Sequence, residues 1–404
     1  MRGRFLVFLT LAASSVISTP IFAQSSALVP SPRLGHIDIS RLTKEANEGN
    51  VEAQFRLGLA YEFGQEVEKS IGYAIAWYQR AADRGALGAE NNLARLFETG
   101  PDGVNDLRQA VKWYTRAALY GSREAQYNLG RLYLQGRGVP QDKAEGARWI
   151  RKAADAGCVT ATARLGWMYA TGFGLPKDER AALRLTRQAA KKGDLDATTN
   201  LGAFYALGIG LAKNEQEARK WLAKAVKGGA AEAEFDLAVL YQGGRGGEKN
   251  PDEALRLFRL AAEQGMPKAE AVLGEIYEAA EGVKADYAEA VKWYRLAARD
   301  GDVESAARLA GILFSGKGVD RDLPEAVRLW TWAADKGNAY AQFNLAQAYV
   351  AGVGVPRDLS KARALFDLAG KKLDVSKQLD AISSPERVTE ALQTQSETET
   401  VAVE

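Results

Sequence analysis

Glycine recurs every 36 residues along most of this 404-residue chain. The series has no insertion or deletion, and its members are Gly49, Gly85, Gly121, Gly157, Gly193, Gly229, Gly265, Gly301 and Gly337. A fixed period of this length is typical of repeat proteins, in which each unit buries its apolar face against its neighbours. The spacing therefore predicts a stack of equivalent units and not a domain with one central core.

Each unit contains two helical patterns. In the first, as in "AQYNLGRLYLQG", Ala, Leu, Gly and Tyr lie on one face of a helix. In the second, as in "AVKWYTRAALYG", Trp and Ala lie on one face. Good N-cap residues precede the first pattern at Asn50, Ser122, Asp194, Asp302 and Asn338. Capping boxes open the second pattern at Asp142/Glu145, Asn214/Glu217, Asn250/Glu253, Asp286/Glu289 and Asp322/Glu325. Each unit is thus predicted to be a helix pair.

The stretch "YLQGRGVPQD" contains a Gly-x-Gly pair, which is found both in phosphate-binding loops and in turns between helices. Six such pairs occur, 36 residues or a multiple of 36 apart, whereas a nucleotide site is normally built once per domain. We expect Gly136 to end the first helix in the left-handed conformation and Val139 to fill the gap between the paired helices. Arg137 is expected to point to solvent. A nucleotide role for Gly136 and Gly138 is therefore not predicted.

The combined pattern A-x-x-x-L-G-x-x-Y-x-x-G-x-G-V-x-x-D-x-x-x-A-x-x-W-Y-x-x-A-A-x-x-G resembles the Sel-one-like repeat (SLR) family, which is related to the tetratricopeptide repeats. The resemblance implies an all-α fold, a right-handed α/α superhelical solenoid of about nine 36-residue helix-turn-helix repeats. It also implies a scaffolding or regulatory role. Exported bacterial members resemble adaptors that restrain sensor kinases, support exopolysaccharide export or act in host contact.

The N-terminus has the features of a Sec-type signal peptide. Arg2 and Arg4 precede an apolar run, and Ala23 offers a small residue for cleavage. An uncleaved anchor is the alternative, although the apolar run is short for a membrane span. No cysteine lies near the cleavage site, so no lipobox is predicted. We expect a periplasmic or secreted protein divided as follows: signal peptide 1–23, flexible lead-in 24–38, repeat solenoid 39–372 (partial helix 39–49, nine repeats 50–372), C-terminal capping helices 373–395 and a disordered acidic tail 396–404.

Composition excludes several classes of function. Without the two signal arginines, the Lys and Arg residues equal the 51 Asp and Glu residues in number, so the chain lacks the basic field that nucleic-acid binding requires. Cys158 is the only cysteine and His36 the only histidine, and they are far apart in sequence. They form neither a disulfide, nor a zinc site, nor a Cys–His nucleophile. We expect no cofactor, no metal and no enzymatic activity.

By similarity to tetratricopeptide geometry, the first helix of each repeat faces a binding groove. The candidate groove residues are Phe55, Asn92, Arg95, Tyr127, Asn128, Arg131, Trp167, Asn200, Phe235, Phe314, Phe343 and Asn344. Asparagines at these positions clamp peptide backbones in related grooves, but they can also bond only within the scaffold. Trp167 likewise has two interpretations, exposure in the groove or packing against the adjacent first helix.

A second candidate surface lies three residues after the tryptophan position. Early repeats are mostly basic there, whereas the last four have Leu260, Leu296, Trp332 and Leu368, which would form an apolar stripe. Lateral packing is the alternative. The main functional hypothesis is a scaffold that binds a protein partner. Its alternatives are a polysaccharide- or peptidoglycan-binding module and β-lactam hydrolysis, which in this family is linked to cysteine-rich members that this chain does not resemble.

Overall fold

A computed structural model describes residues 38–100, 103, 105–279 and 285–383. Every regular element within these ranges is an α-helix, and no strand occurs among them. The all-α prediction is therefore confirmed. The expected signal peptide and tail, and all but Asp38 of the lead-in, lie outside the described residues.

The chain divides into two compact units, with the boundary between Asp236 and Leu237. Repeats 1 to 5 lie in the first unit. Its helices are α1 (Ile39–Asn47), α2 (Val51–Phe63), α3 (Ile71–Asp83), α4 (Leu87–Thr99), α5 (Leu107–Leu119), α6 (Arg123–Gln135), α7 (Lys143–Asp155), α8 (Val159–Thr171), α9 (Glu179–Lys191), α10 (Leu195–Leu207) and α11 (Glu215–Val226). Even-numbered helices are the first helices of their repeats, and α1 is the partial helix expected before them.

Helix α12 (Ala231–Gln242) contains the boundary. The second unit continues with α13 (Pro251–Glu263), α14 (Pro267–Ala279), α15 (Tyr287–Arg299), α16 (Val303–Ser315), α17 (Leu323–Asp335), α18 (Ala339–Ala351), α19 (Leu359–Ala369) and α20 (Ser376–Ser383). The last of these falls in the segment where capping helices are expected. Apart from α12, each first helix packs on the second helix of its own repeat and on the second helix, or α1, that precedes it.

The predicted helix starts are confirmed. Asn50 accepts from the amide of Ala53 at 3.0 Å, and Asp142 accepts from that of Glu145 at 2.8 Å. The same bond forms at the other predicted caps, which are Ser122, Asp194, Asn214, Asn250, Asp286, Asp302, Asp322 and Asn338. These carboxylates, amides and hydroxyls satisfy amides that would otherwise lack partners. Cys158 occupies the cap of α8 without a side-chain bond.

The Gly-x-Gly loop forms the turn between paired helices, as predicted. Gly136 ends α6 with φ 68°, and Val139 packs against the buried cluster around Trp113. The prediction for Arg137 is wrong, because its Nη1 lies 3.0 Å from the Glu98 carboxylate of the preceding repeat. A Cβ placed at Gly138 would lie 2.7 Å from the Leu107 carbonyl oxygen. The loop is therefore also a contact between repeats.

Glycines inside the first helices allow close helix packing. A Cβ at Gly130 of α6 would lie 2.9 Å from the carbonyl oxygen of Gly146 in α7, and one at Gly146 would lie 2.8 Å from that of Gly130. The two backbones thus approach closely where both side chains are absent. The intrinsic cost of a mid-helix glycine, about 1 kcal/mol, is offset by this contact.

Buried glutamines link consecutive repeats. Gln54, Gln126 and Gln342 each donate Nε2 to a backbone carbonyl of the preceding helix, at 2.9, 3.1 and 3.0 Å. Glu270 occupies the same position in repeat 7, is 2% exposed, and has a buried Oε2 without a hydrogen-bond partner. Burial, helped by Asp300 and opposed by Arg299, raises the pKa of this carboxyl. A carboxylate is therefore a poor fit at this position.

We expect Glu270→Gln to stabilise the protein at pH 7 by about 1 kcal/mol, since the new amide can donate to the Ala262 carbonyl as its counterparts do. A carboxyl with a raised folded pKa stabilises the fold below its unfolded pKa, and this contribution is lost as the pH rises through the folded value. The gain should accordingly shrink towards pH 4. Urea unfolding at both pH values measures it, and an equal gain at both would contradict the assignment.

Candidate functional site

Two of the predicted groove arginines lie in buried ion pairs between consecutive first helices. Arg95 of α4 pairs with Glu62 of α2, and Arg131 of α6 pairs with Glu98 of α4 at 2.5 Å. The arginine side chains are 13% and 14% exposed, and the glutamates 5% and 4%. Both arginines therefore mainly link consecutive repeats, and only a small part of each side chain is exposed at the surface.

A tyrosine completes each of these groups. Tyr78 Oη donates to Glu62 Oε2 at 2.7 Å, and Tyr114 Oη donates to Glu98 Oε2 at 3.1 Å. Burial, followed by the adjacent carboxylate, raises the pKa of both phenols above the usual range. The tyrosines stay protonated and donate, so the carboxylate is held by both a cation and a phenol.

The second unit contains a third group of this kind. Tyr294 Oη donates to Glu278 Oε2 at 2.7 Å, and Arg308 lies 3.4 Å from the same carboxylate. Arg308 also faces Glu275 at 3.7 Å and Glu304 at 3.3 Å. One cation among three carboxylates leaves this part of the first-helix face electronegative.

The sequence contains a signal for these groups, namely a correlation between the residue types at two positions, which the inspection of single positions does not detect. Glutamate at the second-last position of the first helix occurs together with tyrosine sixteen residues later, at Glu62/Tyr78, Glu98/Tyr114 and Glu278/Tyr294. Where the glutamate is absent, so is the tyrosine, as at Leu134/Ile150 and Ala170/Thr186. Paired presence and absence within one chain indicates contact between the two side chains.

The predicted asparagines divide into buried and accessible members. Asn92, 4% exposed, donates to Tyr78 Oη at 3.3 Å, and Asn128, 1% exposed, donates to Asn91 Oδ1 at 3.2 Å. Their expected groove exposure is wrong, and both bond within the scaffold, which was the alternative: Asn92 to the second helix α3 and Asn128 to the adjacent first helix α4. Asn200 and Asn344 are half-buried, and Asn344 donates to the Tyr340 carbonyl at 2.8 Å. Only the latter two present surface to a ligand.

The predicted aromatic residues are also largely covered. Tyr127, Trp167 and Phe235 are buried, with Trp167 only 8% exposed. Trp167 packs in one cluster with Tyr127, and Arg164 lies over its ring at 4.3 Å. The structure thus shows the second interpretation of Trp167, in which its side chain packs against the adjacent first helix. The others, Phe55, Phe314 and Phe343, are half-buried and stack on core rings at 5.8, 4.8 and 5.6 Å.

Gly311 of α16, in the second unit, takes the position that Arg95, Arg131 and Trp167 hold in earlier repeats. Tyr340, 47% exposed, packs over this glycine, with its Oη 3.3 Å from the site of a Cβ at Gly311. The absence of a side chain at Gly311 thus makes room for an exposed tyrosine. Neither Tyr340 nor Arg308 was predicted. Arg308 takes the position of Asn92 and its equivalents, where only asparagines were selected, and tyrosine at the position of Tyr340 occurs in no other repeat.

The apolar stripe is partly exposed. Leu260, Leu296 and Trp332 are half-buried, and Leu368 is 44% exposed. In the first unit, the cation at this position lies over the tryptophan three residues earlier, at 4.5 Å for Arg80 on Trp77 and at 4.1 Å for Lys152 on Trp149. Leucine replaces that tryptophan at Leu257, Leu329 and Leu365, which removes this role for the cation.

The repeat can now be assigned to a family. The family model of the Sel1 repeat matches residues 51–85, 88–121, 123–158, 159–194, 195–229, 231–266, 267–302, 303–338 and 339–372. The chain belongs to the Sel1 repeat family. The predicted resemblance and its nine repeats are thereby confirmed.

Known Sel1 repeat proteins extend the comparison. A Sel1 repeat protein from Oxalobacter formigenes is 30% identical, with a TM-score of 0.52, and the match covers 85% of this chain and 89% of that one. The antigen c5321 of uropathogenic Escherichia coli, which displays an SLR fold, is 28% identical over 89% of this chain and 94% of its own, with a TM-score of 0.41.

One curated relative has a described ligand. The secretory immunoglobulin A-binding protein EsiB of Escherichia coli O6:H1 is 36% identical over 67 residues, which is 17% of this chain and 13% of that protein. No helix in the described part of the present Sel1 repeat chain is both long and apolar enough to cross a bilayer.

Proposed function

We propose that this Sel1 repeat protein is a non-enzymatic scaffold that binds a protein partner through the first-helix face of its second unit. The observation that supports this most directly is the exposed ring of Tyr340, whose hydroxyl packs over Gly311. Exposed tyrosines are frequent anchors in protein interfaces. Family membership supports the same class of function, because Sel1 repeats typically mediate protein interactions.

The polar groups around Tyr340 define the chemistry of the partner. Glu275, Glu304 and Arg308 give the surface more negative than positive charge, and Asn344 adds an amide. A partner segment with an apolar side chain against the Tyr340 ring and a basic side chain for the carboxylates would complement it. We place the protein in the periplasm or outside the cell, where it would act on an envelope signalling or exopolysaccharide system. The N-terminal sequence supports export.

A polysaccharide- or peptidoglycan-binding module remains the alternative proposal. Sugar binding by protein usually requires an open aromatic face, and Tyr340 provides one. Binding to peptidoglycan sacculi that survives removal of all protein partners would favour it over the scaffold. Hydrolysis of a β-lactam by the purified protein would favour the enzymatic alternative.

Tyr340→Ala should weaken partner binding by about tenfold or more. The partner is first identified by photo-crosslinking from position 344 in living cells, and its affinity is then measured by calorimetry. Tyr73→Ala is the matched control, since Tyr73 is 62% exposed on the second helix α3. Equal affinities for both variants would overturn the proposed surface.

A further inference from the structure

The second helices of repeats 4 and 5 carry an excess of positive charge. Residues 177–192 and 213–228 contain eleven lysines and arginines but only four acids. The equivalent segments of repeats 6 to 8, residues 249–264, 285–300 and 321–336, contain nine of each. The segment of repeat 9, residues 357–372, again has five against two, so the excess varies between repeats and is largest in repeat 4, with six against two.

Helix α9 lacks the glutamate that pairs with an exposed cation on the second helix of five other repeats. In five repeats an exposed Lys or Arg pairs with a glutamate three residues earlier, at Glu145–Arg148, Glu217–Lys220, Glu253–Arg256, Glu289–Lys292 and Glu325–Arg328. In repeat 4 the residue three positions before Arg184 is Ala181, which cannot form such a pair. Among the described residues no carboxylate pairs with Arg180, Arg184 or Lys191. Their charge is available to a ligand.

These cations form a row along one side of α9. Arg180, Arg184, Arg187 and Lys191 follow each other at intervals of four, three and four residues, which places them on one face over roughly 16 Å. Arg180 also lines an open cleft of about 790 Å³, whose other charged lining residues are Arg151, Lys177, Asp178 and Glu179. Lys177 pairs with Glu179 at 2.7 Å, so the row on α9, and not the cleft, carries most of the unbalanced positive charge.

We propose that this face of α9 and α11 binds an acidic segment of a protein. Guanidinium groups donate paired hydrogen bonds to carboxylates in bidentate geometry, and the row matches a segment with repeated Asp or Glu side chains. No large apolar side chain is exposed on α9 or α11, which argues against insertion into a membrane. Tyr169 and Tyr205 are half-buried and accept from Arg151 and Arg187 at 2.7 and 3.4 Å, and the Arg151 guanidinium also lies over the Tyr169 ring at 5.8 Å.

This surface goes beyond the one proposed around Tyr340, because it lies on second helices of the other unit and has the opposite charge. Either surface can fail without affecting the other. A Tyr340→Ala variant of the full chain should bind an acidic peptide as the unmodified chain does, so one titration separates the two proposals.

The test is a titration of the full chain with a fluorescein-labelled peptide of alternating Glu and Ser, about ten residues long so that it spans the row. The variant Arg180→Glu, Arg184→Glu, Lys191→Glu should bind it at least about tenfold more weakly. The matched control Arg256→Glu, Lys292→Glu, Arg328→Glu makes the same charge change in the second unit and should keep most of the affinity. Far-UV circular dichroism checks that both are folded, and glutamine replaces glutamate if either is not.

Three results would overturn the proposal. The first is equal binding of a Gln–Ser peptide, and the second is an equal loss in the control variant. The third is tighter binding of phosphatidylglycerol vesicles or polygalacturonate than of the acidic peptide, which would assign the face to a membrane or a glycan. Weakening of peptide binding by added salt is expected as well, because the contacts are exposed ion pairs.

Discussion

Glu98→Ala should lower the free energy of unfolding by about 3–5 kcal/mol. The Glu98 side chain is 4% exposed and accepts from Tyr114 at 3.1 Å and from Arg131 at 2.5 Å. Without it, a guanidinium that is 14% exposed and a buried phenol lose their common partner. The Arg137 pair adds little to this figure, because that side chain is 40% exposed and screened by water.

Equilibrium urea unfolding followed by circular dichroism measures this loss. Glu45→Ala is the matched control, since Glu45 pairs with the exposed Arg41 at 2.8 Å on α1, and it should cost less than about 1 kcal/mol. The chain also contains a replacement for the whole group, because Leu134, Ile150 and Trp167 stand at the corresponding positions one repeat later. The triple variant Glu98→Leu, Tyr114→Ile, Arg131→Trp should be more stable than Glu98→Ala, and a lower stability would contradict the buried-charge explanation.

The helices, their caps and the turn were predictable because each depends on neighbours within a few residues. Asn50, Asp142 and Gly136 act through bonds to the amides and carbonyls next to them. A period repeated nine times averages out local exceptions such as Cys158 at a cap position. The all-α fold and the register of the repeats therefore follow from sequence spacing.

The candidate site was less predictable because it depends on how closely consecutive first helices approach. Asn92, Asn128 and Trp167 occupy positions that face a groove in related repeats, but here neighbouring helices bury all three. Helical spacing gives the direction of a side chain and not the distance to the next helix. The same limit applies to the unit boundary after Asp236, which the 36-residue spacing crosses without interruption.

The contact between the loop of one repeat and the second helix of the repeat before it should also be a large contribution to stability. Gly138 has φ 72°, and a Cβ there would lie 2.7 Å from the backbone oxygen of Leu107. Alanine adds the cost of the left-handed conformation to that of a clash with backbone, which cannot move aside as a flexible side chain can. We expect Gly138→Ala to lower the free energy of unfolding by about 2–5 kcal/mol.

Gly193→Ala separates the two contributions. Gly193 has φ 87°, but nothing lies within 4 Å of a Cβ placed there, so only the conformational cost of about 1–2 kcal/mol applies. Urea unfolding measures the loss of unfolding free energy in each variant. The difference between the two losses gives the contribution of the contact, because the backbone penalty is common to both. Equal losses would mean that the loop of repeat 3 moves away from Leu107 at no cost. A larger loss for Gly138→Ala would establish the second glycine of the loop as a link between repeats, a role that its recurrence at Gly174, Gly210 and Gly318 would then extend along the chain.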